Sequence, residues 1–280
     1  QGLEGECACV PLKTVRAGID QICDFVKAGY KNGTKNFLFD AVSEDDLINI
    51  AKVSRNCEVQ NILCGSAGLA KYDAQILGKS LFAKQKEVKT FGKDESEGIV
   101  LVLTGSRNLE TRTQVECLAE KENSRVIVLD TDKVEDDFES VKKYCISKAQ
   151  ELACPKVLIV AFSSLFEDFK MVLKDSRENY DKAFNLSRLL GQIGLLLFKE
   201  LPVKAIISCG GDTTMQLCNA LNAFGIVPLD EVCAGTPYGI ISGGIADGVP
   251  IVTKSGGFGD EKVLVKSVEF LSGSSLSAIK

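Results

Sequence analysis

Short apolar runs alternate with stretches of helical spacing along most of this chain, and no other feature limits its possible folds so strongly. The runs "GIVLVLTGS", "RVIVLD", "KVLIVAF" and "KAIISC" read as buried strands. Between them lie helical patterns at about 110–121 and 134–153, then a long amphipathic segment with Ala183, Leu186, Leu190, Ile193 and Leu197 on one face. Strand–helix alternation of this kind predicts an α/β fold: mainly parallel sheet layers covered by helices, Rossmann-like in its three layers. Its sites are expected at the carboxyl ends of strands.

The front of the chain follows the same rule. Residues 16–30 place Ile19, Ile22, Cys23 and Val26 on one helical face, and "KNFLFDA" reads as a strand ending at Asp40. Ser43, with Asp46 three residues on, is an acidic variant of a helix-start signal before "LINIAKV". "VQNILCGSAG" reads as a strand and then a turn, and this first unit ends near Leu81. The charged stretch "AKQKEVKTFGKDESE" lacks a sustained apolar period. It predicts two domains, 1–85 and 98–280, with a linker at about 86–97. The tail, from "GIVPLD" through "VPIVTKSGGFG", is rich in strands and glycine and leads to a last helix ending near Leu271.

Net charge is −5, with acids and bases interspersed, which leaves no basic footprint for nucleic acid or an anionic membrane. A small-molecule ligand is the expected partner. The sequence has no apolar run of about 18 residues to span a membrane, and its first residues lack the layout of a signal peptide. It opens on "QGLEGECACVPLKTV", which reads as the interior of a longer sequence, so a fragment is expected. Eleven cysteines stand singly, several on apolar segments (Cys117, Cys145, Cys209, Cys218), with no C-x-x-C pair and no histidine in the chain. That argues against a zinc site and a Cys/His nucleophile. The expectation is reduced core thiols, no structural disulfide and a cytoplasmic protein.

Three glycine-containing turns follow apolar strands: "LTGSRN", "SCGGDTT" and "TKSGGFGD". A helix start exposes unpaired N–H groups and the positive end of the helix dipole, and glycine lets a phosphate approach the backbone. Each turn also has a plain reading: Asp212 or Thr213 caps a helix, Ser106 caps another, and Gly256 and Gly257 supply positive φ. Three such turns in one unit point to a shared anion site. None is a Walker A sequence, and no G-x-G-x-x-G follows a strand, which disfavours a standard P-loop or dinucleotide fold. A carboxylate repels phosphate, so in a real site Asp212 faces Mg²⁺ or a ribose hydroxyl.

"GGDTT" before a helix, "AGTPYG" and "TKSGGFG" resemble the C-terminal nucleotide-binding domain of the four-carbon acid sugar kinases, and "LVLTGSRNLETRTQ" is similar to the start of that domain. "FLFDAVSEDDLINIA" and "ILCGSAGLA" resemble the closing part of the family's sugar-binding domain. The resemblance implies that Ser106, Gly210, Gly211, Asp212, Thr213 and Gly256 contact ATP, with Asp212 as the residue for Mg²⁺. It implies a kinase that transfers the γ-phosphoryl group to a hydroxyl of a small sugar acid. Two departures stand out: the family usually has Glu at the place of Asp212, and its acidic "DDxTGA" motif is absent from this sequence. The resemblance therefore places the acceptor-side base outside this chain and implies that the chain by itself phosphorylates nothing. Asp40, Gly65 and Ser66, at expected strand ends, are the candidates for the sugar acid, with a strand-end carboxylate and a helix cap as their plain reading. The rival function is a non-catalytic nucleotide-binding regulatory module. A dehydrogenase fits the alternation but lacks both the glycine fingerprint and a histidine acid. A homo-oligomer is compatible with the sequence, which does not fix the acceptor's identity.

Overall fold

The structure is a computed structural model, and it describes residues 7–81, 98–151, 155–167 and 177–273. The chain divides into two units, Gln1–Val88 and Lys89–Lys280. The expected linker at about 86–97 lies outside the described residues.

In the first unit β1 (Cys7–Val10) pairs in parallel with β2 (Asn36–Phe39). Around them lie α1 (Leu12–Arg16), α2 (Ile19–Lys31), α3 (Glu44–Ala51), α4 (Val53–Asn56) and α5 (Ala67–Leu81). Val10, Val15, Ile22, Val26, Ile50 and Leu69 form the core. The start of α3 follows the sequence signal: Ser43 Oγ accepts from the Asp46 N–H (3.3 Å), and Asp46 Oδ2 accepts from the N–H of Ser43 (3.0 Å). Arg16 Nε donates to Asp46 Oδ1 (3.1 Å) and Val42 N–H to Asp46 Oδ2 (3.0 Å). These donors favour the ionised carboxylate and lower its pKa to about 2, although the side chain is buried.

Two expectations fail in this unit. "VQNILC" forms no strand: residues 57–66 are irregular, and Ile62 is 94% exposed. The partner of β2 is instead β1, whose "CACV" is too short and too near the chain start to carry a periodic signal. The cysteines do not all remain thiols either. Cys23 of α2 and Cys57, which follows α4, form a disulfide with Cα atoms 5.2 Å apart. The two are separated by 34 positions, so no local spacing announces the pair.

Among the described residues the second unit holds one seven-stranded sheet. Along the chain come β3 (Ile99–Thr104), α6 (Leu109–Ala119), β4 (Ser124–Leu129), α7 (Lys133–Asp136), α8 (Phe138–Glu151) and β5 (Val157–Phe162). They are followed by α9 (Arg177–Glu200), β6 (Val203–Cys209), α10 (Gly211–Ala220), β7 (Gly225–Cys233), β8 (Thr236–Ser242), β9 (Pro250–Lys254) and α11 (Val263–Leu271). The strand order is β4-β5-β3-β6-β9-β8-β7; the first five are parallel, and β8 and β7 close the edge as an antiparallel hairpin.

Alternation along the strands divides the core in two. Leu101, Leu103 and Ile206 face the side covered by α8, α9 and α10, while Val100, Val102 and Ile207 face α6 and α11. The helix expected over 134–153 is broken at Asp137 (φ −140°, ψ 71°), whose Oδ1 accepts from the Ser140 N–H (3.1 Å) and starts α8 afresh. Residues 152–153 of that expected helix lie outside the described residues.

Candidate functional site

Parallel register brings the three glycine turns together. Thr104 of β3 pairs with Cys209 of β6, and Cys209 pairs with Lys254 of β9, so all three turns leave the sheet side by side at its carboxyl edge. Gly210 N–H donates to the Lys254 carbonyl (2.8 Å). Thr111 Oγ1 donates to the Gly256 carbonyl (2.7 Å) and lies 3.1 Å from Ser106 Oγ. A Cβ on Gly256 would stand 2.6 Å from Ser106 Oγ, so glycine is what lets these two turns touch. The structure thus gathers Ser106, Gly210–Thr213 and Gly256 in one place.

Neither helix start at this edge is capped by a side chain. The N-cap of α10 is Gly210 at φ 110°, a conformation that favours glycine, and no side chain caps it. Asp212 and Thr213 lie inside the first turn, which corrects the capping role considered for them. The N–H groups of Gly211, Asp212 and Thr213 therefore have no acceptor among the described residues. In the same way Asn108, not Ser106, is the N-cap of α6; Ser106 Oγ accepts from the Asn108 N–H (3.2 Å). α6 and α10 cover opposite faces, and the chain leaves β3 and β6 in opposite directions along the sheet. Their turns flank the crevice at such a switch point, where open α/β sheets bind ligands. Asp212 is exposed and makes no ion pair among the described residues, and a Cβ on Gly211 would meet nothing within 4 Å.

The turn after β9 is held from beneath. Gly256 and Gly257 do not have positive φ, contrary to the plain reading; Gly259 does, at 86°. Lys254 is 2% exposed, and its ammonium donates to the carbonyls of Ser255 (2.7 Å), Gly256 (3.0 Å) and Phe258 (3.2 Å). Burial lowers its pKa, partly offset by Cys209 and Glu110. Gln114 Nε2 lies 3.1 Å from each of the carbonyls of Phe258, Gly259 and Asp260. Burial also pushes the Cys209 thiol up to about 11, so it is no nucleophile at neutral pH. Thr104 Oγ1, at the end of β3, is buried without a hydrogen-bond partner among the described residues.

Sequence reasoning missed Lys254, Thr111 and Thr104. The available signal was a lysine closing the apolar strand "VPIVTK" directly before Ser-Gly-Gly, where a buried charge needs several acceptors.

In the first unit Asp40 follows β2, exposed, with its N–H on the Val10 carbonyl (3.1 Å). Gly65 and Ser66 precede α5, and the Ser66 carbonyl accepts from the Ala70 N–H (3.3 Å). No hydrogen bond joins Asp40 to Gly65 or Ser66, and the strand expected to carry those two does not form. No group of three or more His, Cys, Asp or Glu suited to a metal ion occurs among the described residues. Nor is any described helix long and apolar enough to cross a membrane.

Comparison with known families decides the assignment. The family described as "Nucleotide-binding C-terminal domain" matches residues 101–264, and "Sugar-binding N-terminal domain" matches residues 2–72. The chain belongs to the four-carbon acid sugar kinase family. Among relatives of this kinase family, a D-threonate kinase of Salmonella typhimurium is 26% identical over 241 residues, covering 83% of this chain and 53% of the relative. A D-threonate kinase of Cupriavidus necator is 26% identical over 267 residues, 91% of this chain and 58% of the relative. A D-erythronate kinase of Heliobacterium modesticaldum is 36% identical over 69 residues, 25% of this chain and 16% of the relative. The chain thus spans a little over half the length of the two relatives it matches along most of its own length. Solved structures share the fold: a Salmonella typhimurium LT2 protein at TM-score 0.67 and 18% identity covers 94% of this chain and 60% of its own. A Haemophilus influenzae protein at TM-score 0.58 and 20% identity covers 96% and 61%.

Proposed function

We propose that this member of the four-carbon acid sugar kinase family holds ATP at the crevice between β3 and β6 and serves phosphoryl transfer to a hydroxyl of a four-carbon sugar acid. The observation that carries this reading is the meeting of two uncapped helix starts with the Lys254-held turn at one sheet edge. The N–H groups of Gly211, Asp212 and Thr213 donate to phosphate oxygens, and the open space over Gly211 admits them. Phosphoryl transfer depends mainly on positioning and charge neutralisation, which backbone donors provide without a nucleophilic side chain. The bond from the γ-phosphorus to its bridging oxygen breaks, a new bond forms to the acceptor oxygen, and the hydroxyl proton passes to a base.

Magnesium in such sites is held by one or two carboxylates plus the phosphates, and Asp212, exposed and without an ion pair among the described residues, fits that role. When bound, the ion would supply neutralisation of the phosphate charge. Asp40, Gly65 and Ser66 are proposed to meet the sugar acid, with D-threonate and D-erythronate, named for the relatives, as the compounds to try first.

Calorimetric titration with ADP at fixed Mg²⁺ tests the reading, with wild type beside Asp212→Asn. Wild type binds; the variant binds more weakly, and its ligand-free melting temperature changes little, because Asp212 is not the helix cap and only its charge in the first turn is lost. Equal affinities would make Asp212 an ordinary surface carboxylate, and absence of binding to wild type would overturn the nucleotide site.

A further inference from the structure

We infer that Lys254 is a positioning residue whose buried ammonium turns the carbonyls of the 255–258 turn inward and so aims the N–H groups of Gly256, Gly257 and Gly259 at a phosphate. The inference rests on the ATP reading above. In a planar trans peptide the C=O of one residue and the N–H of the next point in opposite directions. Lys254 holds the carbonyls of Ser255, Gly256 and Phe258, so the N–H groups that share those peptides, on Gly256, Gly257 and Gly259, point away from it. None of the three donates to an acceptor among the described residues. Thr111 and Gln114 pull on the same side: Thr111 Oγ1 donates to the Gly256 carbonyl, and Gln114 Nε2 lies within bonding distance of the carbonyls of Phe258 and Gly259.

Successive outward N–H groups make an anion-binding concavity. The cation beneath adds favourable potential without touching the ligand, because its three protons are already taken by carbonyls. Together with α10 this gives the phosphates donors on two sides: Gly211–Thr213 from one turn, and Gly256, Gly257 and Gly259 from the other.

The test is backbone amide NMR with titration of ADP and of inorganic pyrophosphate into wild type, Lys254→Met and Thr111→Val. In wild type both probes shift the Gly256, Gly257 and Gly259 amides downfield. In Lys254→Met, affinity for both falls by about ten- to a hundredfold, the range for losing charge-assisted hydrogen bonds, and at saturation those amides no longer shift. A Lys254→Met protein that binds more weakly yet shows wild-type shifts at saturation would reduce Lys254 to a structural role and overturn the inference. If Lys254→Met does not fold, Thr111→Val carries the test. Weaker pyrophosphate binding with altered Gly256 and Gly257 shifts supports the inference, and wild-type behaviour overturns it. Wild type that binds ADP without moving these amides would sink the inference alone. Wild type that binds neither probe would sink the nucleotide site with it.

Discussion

Gly210 donates its backbone N–H to the carbonyl of Lys254 at 2.8 Å, so the residue that opens α10 and the residue that ends β9 are fixed to each other by main chain alone. One donor of the α10 start is consumed in this way, and the next three, on Gly211, Asp212 and Thr213, face outward. The α10 side of the site is thereby set by backbone, and its tolerance to side chains differs sharply from one glycine to the next.

Gly211→Val separates ligand space from protein space. A Cβ at Gly211 meets nothing within 4 Å, and its φ is not positive, so the ligand-free melting temperature should equal that of wild type or exceed it slightly, since glycine is the poorer helix former. Nucleotide affinity should fall at least about tenfold, because the branched side chain occupies the space a phosphate needs for close backbone approach. Paired melts and ADP titrations check this; undiminished affinity would move the phosphate away from α10.

Gly191→Ala should do the reverse. Gly191 of α9 lies against α10, and a Cβ there would stand 2.6 Å from the Gln216 carbonyl oxygen and 3.0 Å from the Leu217 nitrogen, both backbone atoms that cannot swing aside. The expected loss is about 1–3 kcal/mol, as for overpacking, read from the denaturant midpoint of the second unit. An unchanged midpoint would show that the two helices separate at little cost.

Reduction should weaken the first unit. The Cys23–Cys57 bridge closes a loop of 34 positions, and constraining an unfolded chain at that length contributes about 2–4 kcal/mol. Thermal melts with and without dithiothreitol should differ in wild type and coincide in Cys57→Ser. Coincident melts in wild type would restore the all-thiol expectation.

Acid should act through Asp46. Its pKa is held at about 2 by Arg16 and the Val42 and Ser43 N–H groups, below the ordinary carboxylate value it regains on unfolding. The folded state therefore binds fewer protons than the unfolded one in this range. The stabilisation is complete above about pH 4 and is lost as pH falls towards 2. Melting of the first unit from pH 5 to pH 2 should show a drop in wild type that is smaller in Asp46→Asn. Parallel curves would mean that other groups govern acid unfolding.

The sequence alone determined the elements whose signal is local. The apolar runs at β3, β5 and β6, the face carrying Leu190, Ile193 and Leu197, and the Ser43–Asp46 helix start all depend on neighbours within a few positions. The motifs that hold Ser106, Gly210–Thr213 and Gly256 were legible as well, since each is a strand followed by a glycine turn. What tertiary structure decided depends on distant partners. Parallel register places Thr104, Cys209 and Lys254 in one row, and only there does a buried lysine find three carbonyls and Thr111 reach Gly256, 145 positions away. The same reason hid the Cys23–Cys57 bridge and sent "VQNILC" into an irregular path. A pairing across the fold has no period in the sequence, and an apolar run becomes a strand only where a partner edge is free to receive it.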